Sequence, residues 1–167
     1  NSLTSVVIPN KVTIIGYMAF SSCTSLVSVT IGNSVEEISS RAFYRCSSLA
    51  TVEMGNNVKT IGSSAFRHCN SLTSITIPET MEVIQDDTFR NCTLLSSVNI
   101  PASVDYVGTY AFQECHSLTT VNISANATNI KYAFPTCYGP NSNIFGLVLD
   151  SAASHGIIEC EPCYNQT

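Results

Sequence analysis

Charge is what this sequence has least of. Asp, Glu, Lys and Arg make up 11% of its 167 residues, against about a quarter in an ordinary globular domain. The seven Lys and Arg are spread singly along the chain, and the formal net charge is −5. Nucleic-acid binding needs clustered basic side chains to neutralise phosphates, so no nucleic-acid partner is expected. Long apolar runs are missing too. None approaches the roughly 18 residues of a membrane-spanning helix, and no membrane insertion is expected. No leader-like stretch opens the sequence, so for a secreted protein the expectation is a mature or trimmed form. Hydroxyl groups stand in place of charge, with 23 Ser and 17 Thr.

What is present is a period. Cys23, Cys46, Cys69, Cys92 and Cys115 are 23 residues apart. Phe20, Phe43, Phe66, Phe89 and Phe112 keep the same step, and so do Leu3, Leu26, Leu49, Leu72, Leu95 and Leu118. A period held this long marks a repeat architecture. One unit reads L-x-x-V-x-I-P/G-x-x-V-x-x-I-G-x-x-A-F-x-x-C-x-x. Val29 and Ile31 alternate with Thr30, and Ile75 and Ile77 with Thr76, which predicts a short strand with one buried face. Pro9, Pro78 and Pro101, or Gly32 and Gly55, end that strand, because proline cannot continue a ladder. A second apolar pair follows, such as Val35 with Ile38, and Gly16, Gly62 and Gly108 allow a turn.

A 23-residue unit cannot bury its own apolar edges. Stacking covers them with the same residues of the next unit. The expected fold is therefore a β-rich solenoid with strands roughly 4.8 Å apart and a core made of Leu, Phe and Cys columns. Short turns or single helical turns are expected near each Ala-Phe pair. The sixth unit keeps Ile130, Ala133, Phe134 and Cys137 but lacks one residue before the alanine. The template returns, shifted by four, at Ile144, Leu147 and Leu149, which predicts a seventh strand at 144–149. Residues 1–139 are read as the solenoid, and 140–167 as its last strand and C-terminal cap. The first coil is incomplete. Leu3, Val6 and Ile8 would be open, so the expectation is either a longer array or self-association through that coil.

The unit resembles the BspA-type leucine-rich repeat. The match is plain in Ile77-Pro78, Met81, Ile84, Phe89, Cys92 and Leu95, and it covers roughly residues 1–137. Thr88 in place of alanine and Gln85 in place of glycine depart from the pattern. The resemblance implies a right-handed leucine-rich-repeat solenoid of about six 23-residue coils. It implies an extracellular or cell-surface setting, as in secreted and surface proteins of bacteria and microbial eukaryotes, several of which are implicated in adhesion. It supplies no catalytic residues and no cofactor.

The candidate site is the outward side of the strands. One column runs Ser5, Ser28, Thr51, Ser74, Ser97, Thr120, and a second runs Val7, Thr30, Glu53, Thr76, Asn99, Asn122. Such a lattice suits a protein or glycan ligand. The plainer alternative is a solvated face of β-forming residues. Val7, Glu53 and Asn99 break the regular threonine array that an ice-binding face would want. The periodic Cys23, Cys46, Cys69, Cys92 and Cys115 read as a reduced structural column, because free cysteine is among the most buried residue types.

Cys137, Cys160 and Cys163 break the period, and a cap disulfide from Cys137 to Cys160 or Cys163 is the favoured pairing. The C-x-x-C at 160–163 lacks both a second such pair for zinc and a strand-helix context for redox work, so no metal is assigned. Ser154, His155 and Asp150 lack a nucleophile elbow, so no catalysis is assigned. Asn91, Asn122, Asn126 and Asn165 stand in glycosylation sequons, at a number that composition alone explains. Two functions follow. One is a non-enzymatic extracellular recognition or adhesion module acting through the strand face. The other is a structural component stacking end to end into a filament or surface layer.

Overall fold

The computed structural model describes residues 2–123 and 133–134, together with the backbone of 147–149. Twelve strands lie within these residues. In chain order they are β1 (Ser5–Ile8), β2 (Ile14–Ile15), β3 (Ser28–Ile31), β4 (Glu37–Ile38), β5 (Thr51–Glu53), β6 (Thr60–Ile61), β7 (Ser74–Thr76), β8 (Val83–Ile84), β9 (Ser97–Ile100), β10 (Tyr106–Val107), β11 (Thr120–Ile123) and β12 (Leu147–Leu149). Each complete coil contributes one strand to a front face and one two-residue strand to a back face. The paired strands are parallel, and from β1 to β11 partners are 23 residues apart, as in Val29 with Val6 and Val52. The chain is a parallel β-solenoid.

The back sheet runs unbroken from β2 to β10. The front sheet does not. It divides into β1-β3-β5 and β7-β9-β11-β12. The gap falls beside the coil in which Met54 stands at the second inward position and a glycine follows it. Strand β12 pairs with β11 in the register Val121 with Leu147 and Ile123 with Leu149. The shifted phase read from the sequence is therefore the phase in which this strand joins the sheet. Residues 144–146 of the expected strand lie outside the described residues.

The core is columnar. Leu26, Leu49, Leu72 and Leu95 are fully buried, as are Phe43, Phe66, Phe89 and Phe112. Burying side chains of this size stabilises by about 1.5–3 kcal/mol each. The phenylalanine rings stack from Phe20 to Phe134, with centroids 5.1 to 5.6 Å apart and planes within 13° of parallel. A spacing above the strand separation makes the stack offset, the arrangement favoured by the ring quadrupole. Phe134 completes it although it follows Phe112 by one residue fewer than the period.

The segments around each Ala-Phe pair are turns, and the described residues contain no helix. Their geometry is unusual. Ten non-glycine residues have positive φ, in two sets of five. Met18, Arg41, Ser64, Asp87 and Tyr110 form one, and Ser22, Arg45, His68, Asn91 and Glu114 the other. Such a conformation is disfavoured for L-residues. Here it aims N–H groups along the solenoid axis. Ser22 N donates to Tyr44 O, Arg45 N to Arg67 O, His68 N to Arg90 O and Asn91 N to Gln113 O, at 2.7 to 2.9 Å. The turns are thus hydrogen-bonded to the next coil much as strands are, which satisfies backbone groups that would otherwise be left unpaired.

Candidate functional site

The front-face register assembles the two outward columns. Ser5, Ser28 and Thr51 are lateral neighbours, and so are Val7, Thr30 and Glu53. Beyond the gap, Ser74, Ser97 and Thr120 align, as do Thr76, Asn99 and Asn122. Most of these side chains are exposed, and Ser28, Thr30 and Thr120 are half-buried. The ladder, though not the packing, breaks between β5 and β7 and leaves each column in two hydrogen-bonded stretches. In the first, the Thr30 hydroxyl donates to Glu53 Oε2 at 2.9 Å. A shallow groove there is lined by Val7, Thr30, Glu53, Asn10 and Asn33 among others. Its floor end is built by an asparagine ladder, in which Asn33 N donates to Asn10 Oδ1 and Asn56 N to Asn33 Oδ1.

The turn face carries chemistry that reading by period passed over. All four arginines lie there, at Arg41, Arg45, Arg67 and Arg90, together with Tyr44, His68, Asp87 and Glu114. In sequence they look scattered because they fall on three phases of the coil, each of mixed residue type. Stacking brings them together. Arg90 lies 2.8 Å from Glu114 and 3.2 Å from Asp87, and Arg67 lies 3.5 Å from Asp87. The hydrogen bond from Arg90 lowers the pKa of Glu114, and the same bond raises that of Arg90. His68 is half-buried. Its pKa is lowered, by loss of solvent first and then by Arg67, Arg45 and Arg90, against the opposing Glu114.

The five column cysteines are free. Cys46, Cys69, Cys92 and Cys115 are buried, and burial pushes the Cys46 and Cys115 thiols up to about 12 and those of Cys69 and Cys92 well above the ordinary value. A thiol held protonated is a poor nucleophile and a poor metal ligand. Among the described residues no group of three or more His, Cys, Asp or Glu is placed to hold a metal ion, and no helix is long and apolar enough to cross a membrane.

Two sequon asparagines fall on described residues. Asn91 is held in place: its Oδ1 accepts from Asn70 Nδ2 at 2.8 Å and its Nδ2 donates to Glu114. A glycan on that nitrogen would displace the contact to Glu114. Asn122 is exposed on β11, so a glycan there would cover the second outward column. Asn126, Asn165, Cys137, Cys160, Cys163 and His155 lie outside the described residues, and so does most of the expected cap.

A family model described as "BspA type Leucine rich repeat region" matches in six copies, over residues 1–118 and 59–146. No curated protein matches the chain. Among solved structures, the crystal structure of a T. pallidum leucine-rich repeat protein is similar at 34% identity and a TM-score of 0.71, covering 73% of this chain and 59% of that one. A leucine-rich cell surface protein from Faecalibacterium prausnitzii is 37% identical, with a TM-score of 0.60, and the match covers 72% of this chain and 39% of that one. A leucine-rich repeat protein from Bacteroides ovatus is 33% identical, with a TM-score of 0.66 and coverage of 78% and 40%. The match spans less than two thirds of each of these chains.

Proposed function

The chain belongs to the BspA-type leucine-rich repeat family, and from that premise we propose that it is a non-enzymatic recognition module at a cell surface. It binds a protein or glycan partner through the strand face. The observation that carries this reading is the lateral alignment of Ser74, Ser97 and Thr120 with Thr76, Asn99 and Asn122 across three adjoining strands. That alignment sets hydroxyl and amide groups on a rigid grid, roughly 4.8 Å apart across strands. Polar groups fixed by a scaffold bind with little ordering cost. The cell-surface relative supports the location, and the protonated, buried thiols fit a chain without nucleophilic chemistry.

The test is an array of matrix proteins and glycans probed with the parent chain and with a Thr76→Arg/Asn99→Arg variant. Binding lost in the variant, with an unchanged circular dichroism spectrum, supports the strand face. An array without hits, or hits the variant retains, counts against it.

End-to-end self-association is the second reading. Large apolar side chains, Leu3, Ile14, Tyr17 and Met18, are exposed in the first coil. Sedimentation of a monomer across rising concentrations would remove it.

A further inference from the structure

The edge of the turn face in the second and third coils concentrates positive charge. The guanidinium groups of Arg41 and Arg45 both lie over the ring of Tyr44, 5.9 and 5.3 Å from its centroid. The ring of His68 meets Tyr44 edge-on at 5.7 Å. Arg41 and Arg45 are exposed, and neither is ion-paired among the described residues, whereas Arg67 and Arg90 one and two coils on are neutralised by Asp87 and Glu114. Each cation–π contact biases where these two exposed side chains sit.

We propose that this edge binds sulfate groups of a linear sulfated polysaccharide, with Arg41 and Arg45 making the contacts and His68 beside them. The chemistry favours this occupant over the other polyanions. Guanidinium is weakly hydrated and presents a rigid fork of donors that fits an oxyanion. The face of Tyr44 is already covered by arginine, so no nucleobase can stack there. The turn amides that an extended acidic peptide would need are spent on the next coil, as Arg45 N on Arg67 O and His68 N on Arg90 O, so strand addition is closed. The site is distinct from the strand face, and strand-face variants leave it intact.

His68 reports on it. The groups acting on it are Arg67, Arg45, Arg90 and Glu114. A sulfate bound beside Arg45 offsets the arginines and raises the imidazole pKa. The experiment is calorimetric and NMR titration of the chain with a heparin-derived octasaccharide at about 0.1 M salt, where screening acts over about 10 Å. Hyaluronan of equal length and polyglutamate are run beside it. Binding of the octasaccharide alone is expected, with the His68 ring signals moving and its pKa rising. Arg41→Ser/Arg45→Ser should weaken binding by about tenfold or more. Arg41→Lys/Arg45→Lys, which keeps the charge and loses the fork, should weaken it by less, and Thr76→Ala/Asn99→Ala should leave it unchanged. Four results would each overturn the assignment: no octasaccharide binding, equal binding of hyaluronan or polyglutamate, a serine variant that binds like the parent, or a still His68. Inorganic sulfate is expected to compete only weakly, and competition as strong as the octasaccharide's would reduce the site to one for the free ion.

Discussion

The thiol of Cys46 donates to the carbonyl of Phe20, one coil earlier, across 3.0 Å. The same bond recurs from Cys69 to Phe43, Cys92 to Phe66 and Cys115 to Phe89, at 3.2 to 3.3 Å. Each of these carbonyls also accepts the amide of the cysteine in its own coil, as Cys69 N on Phe66 O. The cysteine column is therefore more than a small apolar filler. It stitches each coil to the one before it through a buried carbonyl.

That role makes the chain sensitive to alkali. Folded Cys46 and Cys115 hold their protons to about 12, against an ordinary value of 9.0. A pKa raised on folding contributes stability that is fully present below the unfolded value and is lost as pH rises through the folded one. The urea midpoint is expected to stay level up to about pH 8 and to fall steadily from about pH 9 toward 12. In the folded state a thiol reagent should modify the half-buried Cys23 well before the four buried thiols. Equal reactivity of all five, or a midpoint flat to pH 11, would contradict the buried column.

Thr88 and Gln85 act as a pair. Both depart from the repeat pattern, and the Thr88 hydroxyl, fully buried, donates to the carbonyl of Gln85 at 2.6 Å. Thr88→Val keeps the shape and removes the donor. It should lower stability by about 1–2 kcal/mol in urea unfolding, while Thr88→Ser should lose less. A valine variant as stable as the parent would show that the bond contributes nothing.

Ser64 sits at φ 59° in the buried part of a turn, with its amide donating to Asp86 O at 3.1 Å. At ordinary sites alanine is the more stabilising choice over glycine. Here the order should invert, with Ser64→Gly ahead of Ser64→Ala by about 1 kcal/mol. The two variants compared by thermal unfolding give the answer directly, and an alanine variant at or above the glycine one would refute the strain.

The turn face shows where reading by residue stopped. Left-handed backbone ordinarily announces itself through glycine, yet none of the ten positions is one: Met18, Arg41, Ser64, Asp87 and Tyr110 share a phase and no chemistry. The arginines were equally hidden. Arg45 and Arg67 are 22 residues apart in sequence, which looks like scatter, and they face the same His68 once coils stack. The pattern departures at 85 and 88 look like independent drift until their hydrogen bond is seen. The strand columns, by contrast, followed from alternation alone.

What the sequence determined by itself is the solenoid and its register. Each coil touches only its neighbours, so the period of buried residues is a direct image of the stacking, down to the missing residue before Ala133 and the return of phase at Leu147. Only the tertiary structure decided the hydrogen-bond partners of the Phe carbonyls, the left-handed turns, the division of the front sheet after β5 and the gathering of cations around Tyr44. These depend on which way backbone groups and long side chains point between coils. That direction is set by contacts across the stack, and no residue type at a single position encodes it.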